Sequence, residues 1–300
     1  MAMNIALALI PSVLWGVMAL LLGAFPTDPR RQNTMVLLGA GTGSILAALL
    51  LGAPWYGRSL VWGIVCGLMW TGGQIFMLRA YMAWGVALTQ PLTSAMQLSI
   101  NAMLGIVLFG EWRAPGAMPL GLAALLLISI GGTACSWQEK AGAGPGPDAA
   151  ARRRGLISTT ITSVLYGSYA SVLREVEVPS DHALGPMGIG VLLGAVLTMV
   201  VLPRREPIAG PRRLPAFGAG AVWCLGNALM LWATGKVGVA TGFTLSQLGF
   251  IVATLGALLI LHEHRSRKEL KATAAGIVVA LLGLGMLGAA ASLCAHGGPA

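Results

Sequence analysis

Long apolar runs, each closed by proline, glycine or charge, recur along the whole chain. Ten of them, at residues 3–24, 34–52, 59–78, 86–109, 115–136, 155–173, 184–202, 214–234, 239–261 and 272–293, approach the roughly 20 apolar residues that a membrane-spanning helix needs. The third and fourth runs almost touch around 81–85, as do the eighth and ninth around 235–238. The pattern predicts an all-α integral membrane protein with ten transmembrane helices. The largest polar interruption, 138–154, is rich in glycine, alanine and proline and ends in Arg152, Arg153 and Arg154. Its composition is that of a flexible linker.

The two sides of that linker repeat one another. Residues 10–16 (IPSVLWG) match 161–167 (ITSVLYG) at five of seven positions, with Trp15 exchanged for Tyr166. Residues 70–87 (WTGGQIFMLRAYMAWGVA) align with 223–240 (WCLGNALMLWATGKVGVA), placing Gln74 opposite Asn227. Gln97-Leu98 then meets Gln247-Leu248, and Glu111 meets Glu263, at offsets of 150 and 152. The expected organisation is a first five-helix repeat at 1–137, a cytoplasmic linker at 138–154 and a second repeat at 155–300. Five is odd, so the second copy enters the membrane from the opposite side. Inverted repeats of this kind are a transporter architecture, with the substrate near the midplane between the halves.

Composition narrows the class. Of 300 residues 56% are hydrophobic and 10% charged, with mean hydropathy +0.79, against about 25% charged in an ordinary soluble domain. A soluble enzyme, a secreted disulfide scaffold and a disordered tail are excluded. The net charge of +9 is not gathered on one face, so it signals topology rather than nucleic-acid binding. Fifteen of the nineteen Lys and Arg fall in the loops after helices one, three, five, seven and nine; the other side holds Arg58, Arg113, Arg174 and Lys236. The positive-inside rule places the fifteen in the cytoplasm and both termini outside. The first run lacks a basic leader region and has a repeat partner, unlike a cleaved signal. Cys66, Cys135, Cys224 and Cys294 match no metal or redox spacing and read as small buried hydrophobes.

No Asp, Glu, Lys or Arg lies near the middle of a predicted helix. Intramembrane charges mark ion pathways, so a cargo needing a fixed counter-charge is disfavoured. The interior polar groups are amides and hydroxyls: Gln74, Gln97, Asn101, Asn227 and Gln247, with Ser94, Ser99 and Ser246. An amide offers two donors and an acceptor, which suits a hydroxyl. Trp15, Trp70, Tyr166 and Trp223 add flat apolar faces with one polar handle, fitting the C–H face of a sugar ring. Gln74, Gln97, Asn101, Asn227, Gln247, Ser94, Ser246 and these four aromatics form the expected substrate site. Amides and serines also join helices in membranes at about 1 kcal/mol each, and this reading competes at every position, most strongly at the serines. Gly72, Gly73 and Gly226 suit close helix packing, and Trp55, Trp112 and Trp137 suit interfacial anchoring. Glu111 and Glu263, at the ends of helices four and nine, either pair with Arg113 and Arg265 or carry a coupling proton. His262 and His264 flank Glu263 without the i, i+4 spacing of a zinc pair, so no metal, cofactor or catalytic centre is expected.

These stretches carry a resemblance. Residues 10–16 (IPSVLWG), 67–74 (GLMWTGGQ), 91–98 (PLTSAMQL), Gly110-Glu111-Trp112, 236–240 (KVGVA) and above all 246–255 (SQLGFIVATL) running into Glu263 resemble the glucose/ribose porter family of bacterial sugar-uptake proteins, in the drug/metabolite transporter superfamily. The resemblance spans nearly the whole chain. It implies ten helices in an inverted five-plus-five repeat and proton-coupled uptake of a monosaccharide across the cell (inner) membrane. Gln90 stands where the family commonly has Met, Thr93-Ser94 replaces Ser-Thr, and Gly110 replaces a frequent His; these departures bear on which sugar, glucose, ribose, rhamnose or another small polyol, is carried. The expected partners are therefore a small neutral sugar, the lipid bilayer and protons. The rival readings are an exporter of amino acids or other small metabolites on the same fold, a membrane-embedded enzyme, and a non-transporting sugar sensor.

Overall fold

A computed structural model of the chain describes residues 2–25, 29–84, 86–137, 149–201, 213–260 and 266–296. Its elements are α1 (Ala2–Ala24), α2 (Pro29–Leu50), α3 (Arg58–Trp84), α4 (Val86–Phe109), α5 (Ala117–Ser136), α6 (Ala149–Glu175), α7 (Ser180–Val201), α8 (Arg213–Val237), α9 (Val239–Ser246), α10 (Gly249–Leu259) and α11 (Arg267–His296). Among the described residues there is no strand, and nine helices are long and apolar enough to cross a membrane. The protein is an all-α membrane protein. Of the expected linker, 138–148 lies outside the described residues, while 149–154 is helical and opens α6. Helix formers, Ala149–Ala151 and three arginines, continue the helix outward.

The ninth expected span, 239–261, is two helices and not one. The Gln247 N–H is shared between the carbonyls of Phe243 and Thr244, and the N–H groups of Leu248 and Ile251 turn to Leu245 and Leu248, three residues back. An α-helix takes the acceptor four residues back, so the ladder breaks and frees the Gln247 carbonyl from the Ile251 N–H. Two local features favour the break. Ser246 Oγ donates to the Phe243 carbonyl at 2.6 Å, competing with the backbone ladder. Gly249 sits against α1, where a Cβ would lie 2.6 Å from the Ser12 carbonyl oxygen.

The most extensive helix contacts recur when the first five helices are exchanged for the last six. The α3 helix packs on α6 and α7 as α8 packs on α1 and α2, and α4 lies on α6 as α10 lies on α1. The pairs α2 with α7 and α5 with α11 map onto themselves. The closest crossings follow the same exchange. A Cβ on Gly39 would lie 1.9 Å from the Phe217 carbonyl oxygen, and one on its repeat equivalent Gly190 would lie 2.3 Å from that of Ile64. Gly220 and its equivalent Gly67 would meet the Val36 and Met187 carbonyls at 2.1 and 2.2 Å. Close backbone approach through glycine is how membrane helices gain packing without a hydrophobic driving force.

Candidate functional site

The aromatic residues meet at the centre. Trp70, mid-α3, and Trp223, mid-α8, hold equivalent places in the two repeats and stack at 3.9 Å between ring centroids, 30° apart. Two residues aligned in the sequence repeat are thus in direct contact. Tyr166 of α6 stacks on Trp70 at 6.4 Å and 21°. Tyr166 lies over Gly73, where a Cβ would be 2.2 Å from its ring, and Trp15 lies over Gly226, where a Cβ would be 2.5 Å from Nε1. Gly73 and Gly226 thus seat the aromatics of the neighbouring helices. Trp70 and Trp223 are 3% and 5% exposed and cover each other. With Tyr166 against Trp70 and Trp15 over Gly226 they form a buried aromatic cluster.

The polar residues divide into engaged and available groups. Asn227, fully buried in α8, accepts from Tyr169 Oη through Oδ1 at 2.9 Å and donates through Nδ2 to Met187 Sδ at 3.4 Å. Its amide is satisfied by protein. Ser246 is likewise turned to the Phe243 carbonyl, and Ser99 is an exposed residue whose hydroxyl returns to Ala95. Gln74 in α3, and Ser94 and Gln97 in α4, make no side-chain hydrogen bond to any described residue, and Gln97 is 7% exposed. Ser94, Gln97 and Asn101 are spaced i, i+3 and i+7, so they share one face of α4. Asn101 Nδ2 donates to the Gly167 carbonyl at 3.0 Å, which fixes the amide's orientation and leaves buried Oδ1 without a partner. The Trp15 Nε1–H is also buried and unpaired. Such groups are costly in an apolar interior unless a ligand or water completes them. Gln247 stands at the α9–α10 break, its Nε2 reaching only Ser246 Oγ at 3.4 Å.

A sharp prediction follows for the engaged amide. Asn227→Leu orphans the buried Tyr169 hydroxyl, a loss of about 1–3 kcal/mol, so it should lower the unfolding midpoint in detergent while leaving KM for cargo near that of the unaltered chain. A large rise in KM at unchanged stability would return Asn227 to the binding site.

At the far end of α4 the turn Gly110-Glu111-Trp112 grips α9. Glu111 Oε1 accepts from Arg174 Nη1 and, at 2.6 Å, from the Val239 N–H at the start of α9. The guanidinium of Arg174 also lies 4.1 Å from the centroid of the Phe109 ring. The expected partner Arg113 is replaced by Arg174 because the end of α6, remote in sequence, packs beside the end of α4. Trp112 is 3% exposed, buried in the turn and not presented to a lipid interface, and its Nε1 donates to Thr241 Oγ1 at 3.4 Å; Trp137 is 45% exposed. Gly110, Trp112 and Gly238 have φ of 62°, 59° and 89°, the first two bracketing Glu111. A left-handed tryptophan costs about 1–2 kcal/mol, and its contacts in the turn hold it there. Glu263, with His262, His264 and Arg265, lies outside the described residues. Among the described residues no group of three or more His, Cys, Asp or Glu is placed to hold a metal.

Tyr169 and Thr241 are absent from the sequence expectation, and Arg174 enters it only as a topology charge. A signal existed for Tyr169: its repeat equivalent is Met18, and a tyrosine inside a membrane needs a partner for its hydroxyl.

Comparison with known proteins agrees along the full length. A family model described as "Sugar transport protein" matches residues 6–290. A Listeria innocua protein named for sugar uptake is 33% identical over 96% of this chain and 99% of its own. The glucose uptake protein GlcU of Bacillus subtilis is 32% identical, again over 96% and 99%. One solved crystal structure shares the fold, with a TM-score of 0.71 at 19% identity over 96% of this chain and 98% of that one.

Proposed function

The chain belongs to the sugar transport protein family, and from that premise we propose that Gln74, Ser94, Gln97, Asn101 and Gln247 hold a neutral monosaccharide of the glucose or ribose type beside the stacked Trp70–Trp223 pair. The protein is a membrane permease for sugar uptake. One observation carries the neutral cargo: every buried polar side chain among the described residues is uncharged. An exporter of zwitterionic amino acids would need a charged or strongly polar counter-group there. The available atoms are mixed donors and acceptors, the Asn101 Oδ1 acceptor and the Trp15 Nε1 donor among them, and a sugar hydroxyl satisfies both kinds. A hydrogen-bonding site also rejects an analogue that lacks the matching hydroxyl. Asn227 and Ser246 act in this reading as structural partners. Radiolabelled glucose and ribose counterflow in proteoliposomes, with competing sugars, tests it; no counterflow with any monosaccharide, alongside measurable binding, identifies a sensor instead.

Alternating access runs between the two repeats, with residues 138–154 joining them on the cytoplasmic side and both termini outside. A reporter fused after Ala300 that stays cytoplasmic reverses this orientation. Of the two carboxylates considered for proton coupling, Glu111 is held by Arg174 and the start of α9, which leaves Glu263 as the carrier. An imposed inward proton gradient should accelerate uptake, and Glu263→Gln should remove that acceleration. Equal uptake with and without the gradient indicates facilitated diffusion.

A further inference from the structure

Asn101 differs from the other amides offered to the cargo, because its orientation is fixed. Its Nδ2 donates to the Gly167 carbonyl at 3.0 Å. A backbone carbonyl only accepts, so the amide cannot turn over without losing that bond. Oδ1 is therefore presented as an acceptor and as nothing else, on a fully buried residue and with no protein partner. Gln74 and Gln97 have no such anchor and swing freely between donor and acceptor. Gln247 touches only the Ser246 hydroxyl, which suits either sense. The anchor itself is rigid. Gly167 lies against α4, where a Cβ would be 3.0 Å from the Gln97 carbonyl oxygen and 3.2 Å from the Ile100 Cβ. Gly167 also follows Tyr166, which stacks on Trp70, so Asn101 is tied to the aromatic cluster. The second repeat has no counterpart. The offset of 150 that pairs Gln97 with Gln247 puts Ile251 at this place, and Ile251 packs against the apolar core.

We propose that Asn101 is the specificity-determining residue of the sugar site: its Oδ1 accepts from one ring hydroxyl, which must therefore donate, and this contact sets which way round the ring sits. The assignment rests on the sugar reading above and deepens it, from a neutral monosaccharide to one with a single obligatory donor hydroxyl. A hydroxyl supplies the missing proton, whereas hydrogen, fluorine or an ether oxygen at the same carbon does not. Cargo lacking the donor leaves Oδ1 buried and unpaired, the circumstance in which a site discriminates most strongly. Because Gly167 holds the amide in place before cargo arrives, no rotamer freedom is lost on binding. The freely turning glutamines tolerate a donor or an acceptor, so they add affinity with less selectivity. The asymmetry between the repeats gives the contact its direction. An acceptor at the equivalent place in the second copy would hold the ring equally well the other way round, and Ile251 offers none.

The experiment is a competition series in proteoliposomes holding the full chain. Radiolabelled glucose counterflow is challenged with glucose and with its monodeoxy and monodeoxyfluoro analogues, and the ribose set is run in parallel. A C–F group keeps an electronegative atom but cannot donate. At one ring position the deoxy and fluoro analogues should both compete roughly 10- to 100-fold worse than the parent sugar, and about equally with each other. Asn101→Leu should weaken the parent sugar to the level of that deoxy analogue and erase discrimination at that position, while discrimination at the other positions persists. A purely structural asparagine would weaken every competitor alike. Asn101→Ser covers a folding failure of the leucine variant, since its hydroxyl can return to the Gln97 carbonyl as that of Ser99 returns to Ala95; it should give the same profile. The profile of the unaltered chain is a test in its own right. No position of joint deoxy and fluoro loss, an equal loss at all positions in the variants, or unchanged discrimination in a folded variant would overturn the assignment; the last is the result expected if water satisfies Oδ1. Counterflow with a flat analogue profile rejects the role of Asn101 and leaves the sugar reading standing. Absence of counterflow with both glucose and ribose rejects the sugar reading, and the assignment with it.

Discussion

Gln97→Leu should raise KM for the transported sugar by roughly 10- to 100-fold and leave the folded protein as stable as before. The two halves of that expectation have one cause. Gln97 lies mid-α4, 7% exposed, on the face shared with Ser94 and Asn101, and its amide bonds to no described residue. A side chain with no protein partner contributes little to the fold, and leucine is apolar and of similar volume. The sugar hydroxyl it meets would instead lose a hydrogen bond and be left desolvated, at about 1–3 kcal/mol. Gln97→Asn keeps the chemistry one methylene short and should fall between. Initial uptake rates against sugar concentration, paired with unfolding midpoints in detergent, separate the outcomes. Unchanged KM in Gln97→Leu and in Gln247→Leu would remove the amides from the site. The opposite pattern at Asn227, stability lost and KM kept, makes the pair a double dissociation that general damage to the membrane domain would not produce.

That dissociation marks where repeat-based reading stops. Gln74 and Asn227 align at the same place in the two copies, and sequence alone gives them one role. The copies differ one helix away: Tyr169 occupies the place of Met18, and its hydroxyl claims the Asn227 amide. Hydropathy made nine spans legible because apolar length is the property being counted. It treated 239–261 as continuous because the break there comes from backbone acceptors shifting by one residue beside Ser246 and Gly249, neither of which interrupts an apolar run. Proximity in sequence suggested Arg113 for Glu111, whereas the packing of α4 on α6 delivers Arg174. The aromatics are expected at the substrate site, but their stacking on one another is a tertiary contact that no local pattern carries. What the sequence held well was membership: which residues are interior, polar and uncharged. What it held poorly was who satisfies whom.

Gly39→Ala and Gly220→Ala should each cost a large share of the folded protein, and Gly39→Leu should yield none. A Cβ at Gly39 would sit 1.9 Å from the Phe217 carbonyl oxygen and one at Gly220 would sit 2.1 Å from that of Val36, far inside the contact distance of about 3.5 Å. Both obstructing atoms are backbone, so no rotamer change relieves the clash and the α2–α8 crossing must open by an ångström or more. Overpacking of this kind costs about 1–3 kcal/mol, and more where the backbone has to move. The repeat makes the test stricter. Gly190 and Gly67 face Ile64 and Met187 in the equivalent α3–α7 crossing, so alanine at those positions should be as damaging, site for site. Gly218→Ala is the internal control: it lies on α8 two residues from Gly220, and a Cβ there meets nothing within 4 Å. A helical glycine replaced by alanine in open space should gain stability, by up to about 1 kcal/mol. Fluorescence-detected size-exclusion of tagged variants, with unfolding midpoints, gives the ordering. If alanine at Gly39 and Gly220 behaved like alanine at Gly218, the α2–α8 crossing would not depend on the close backbone approach at these glycines.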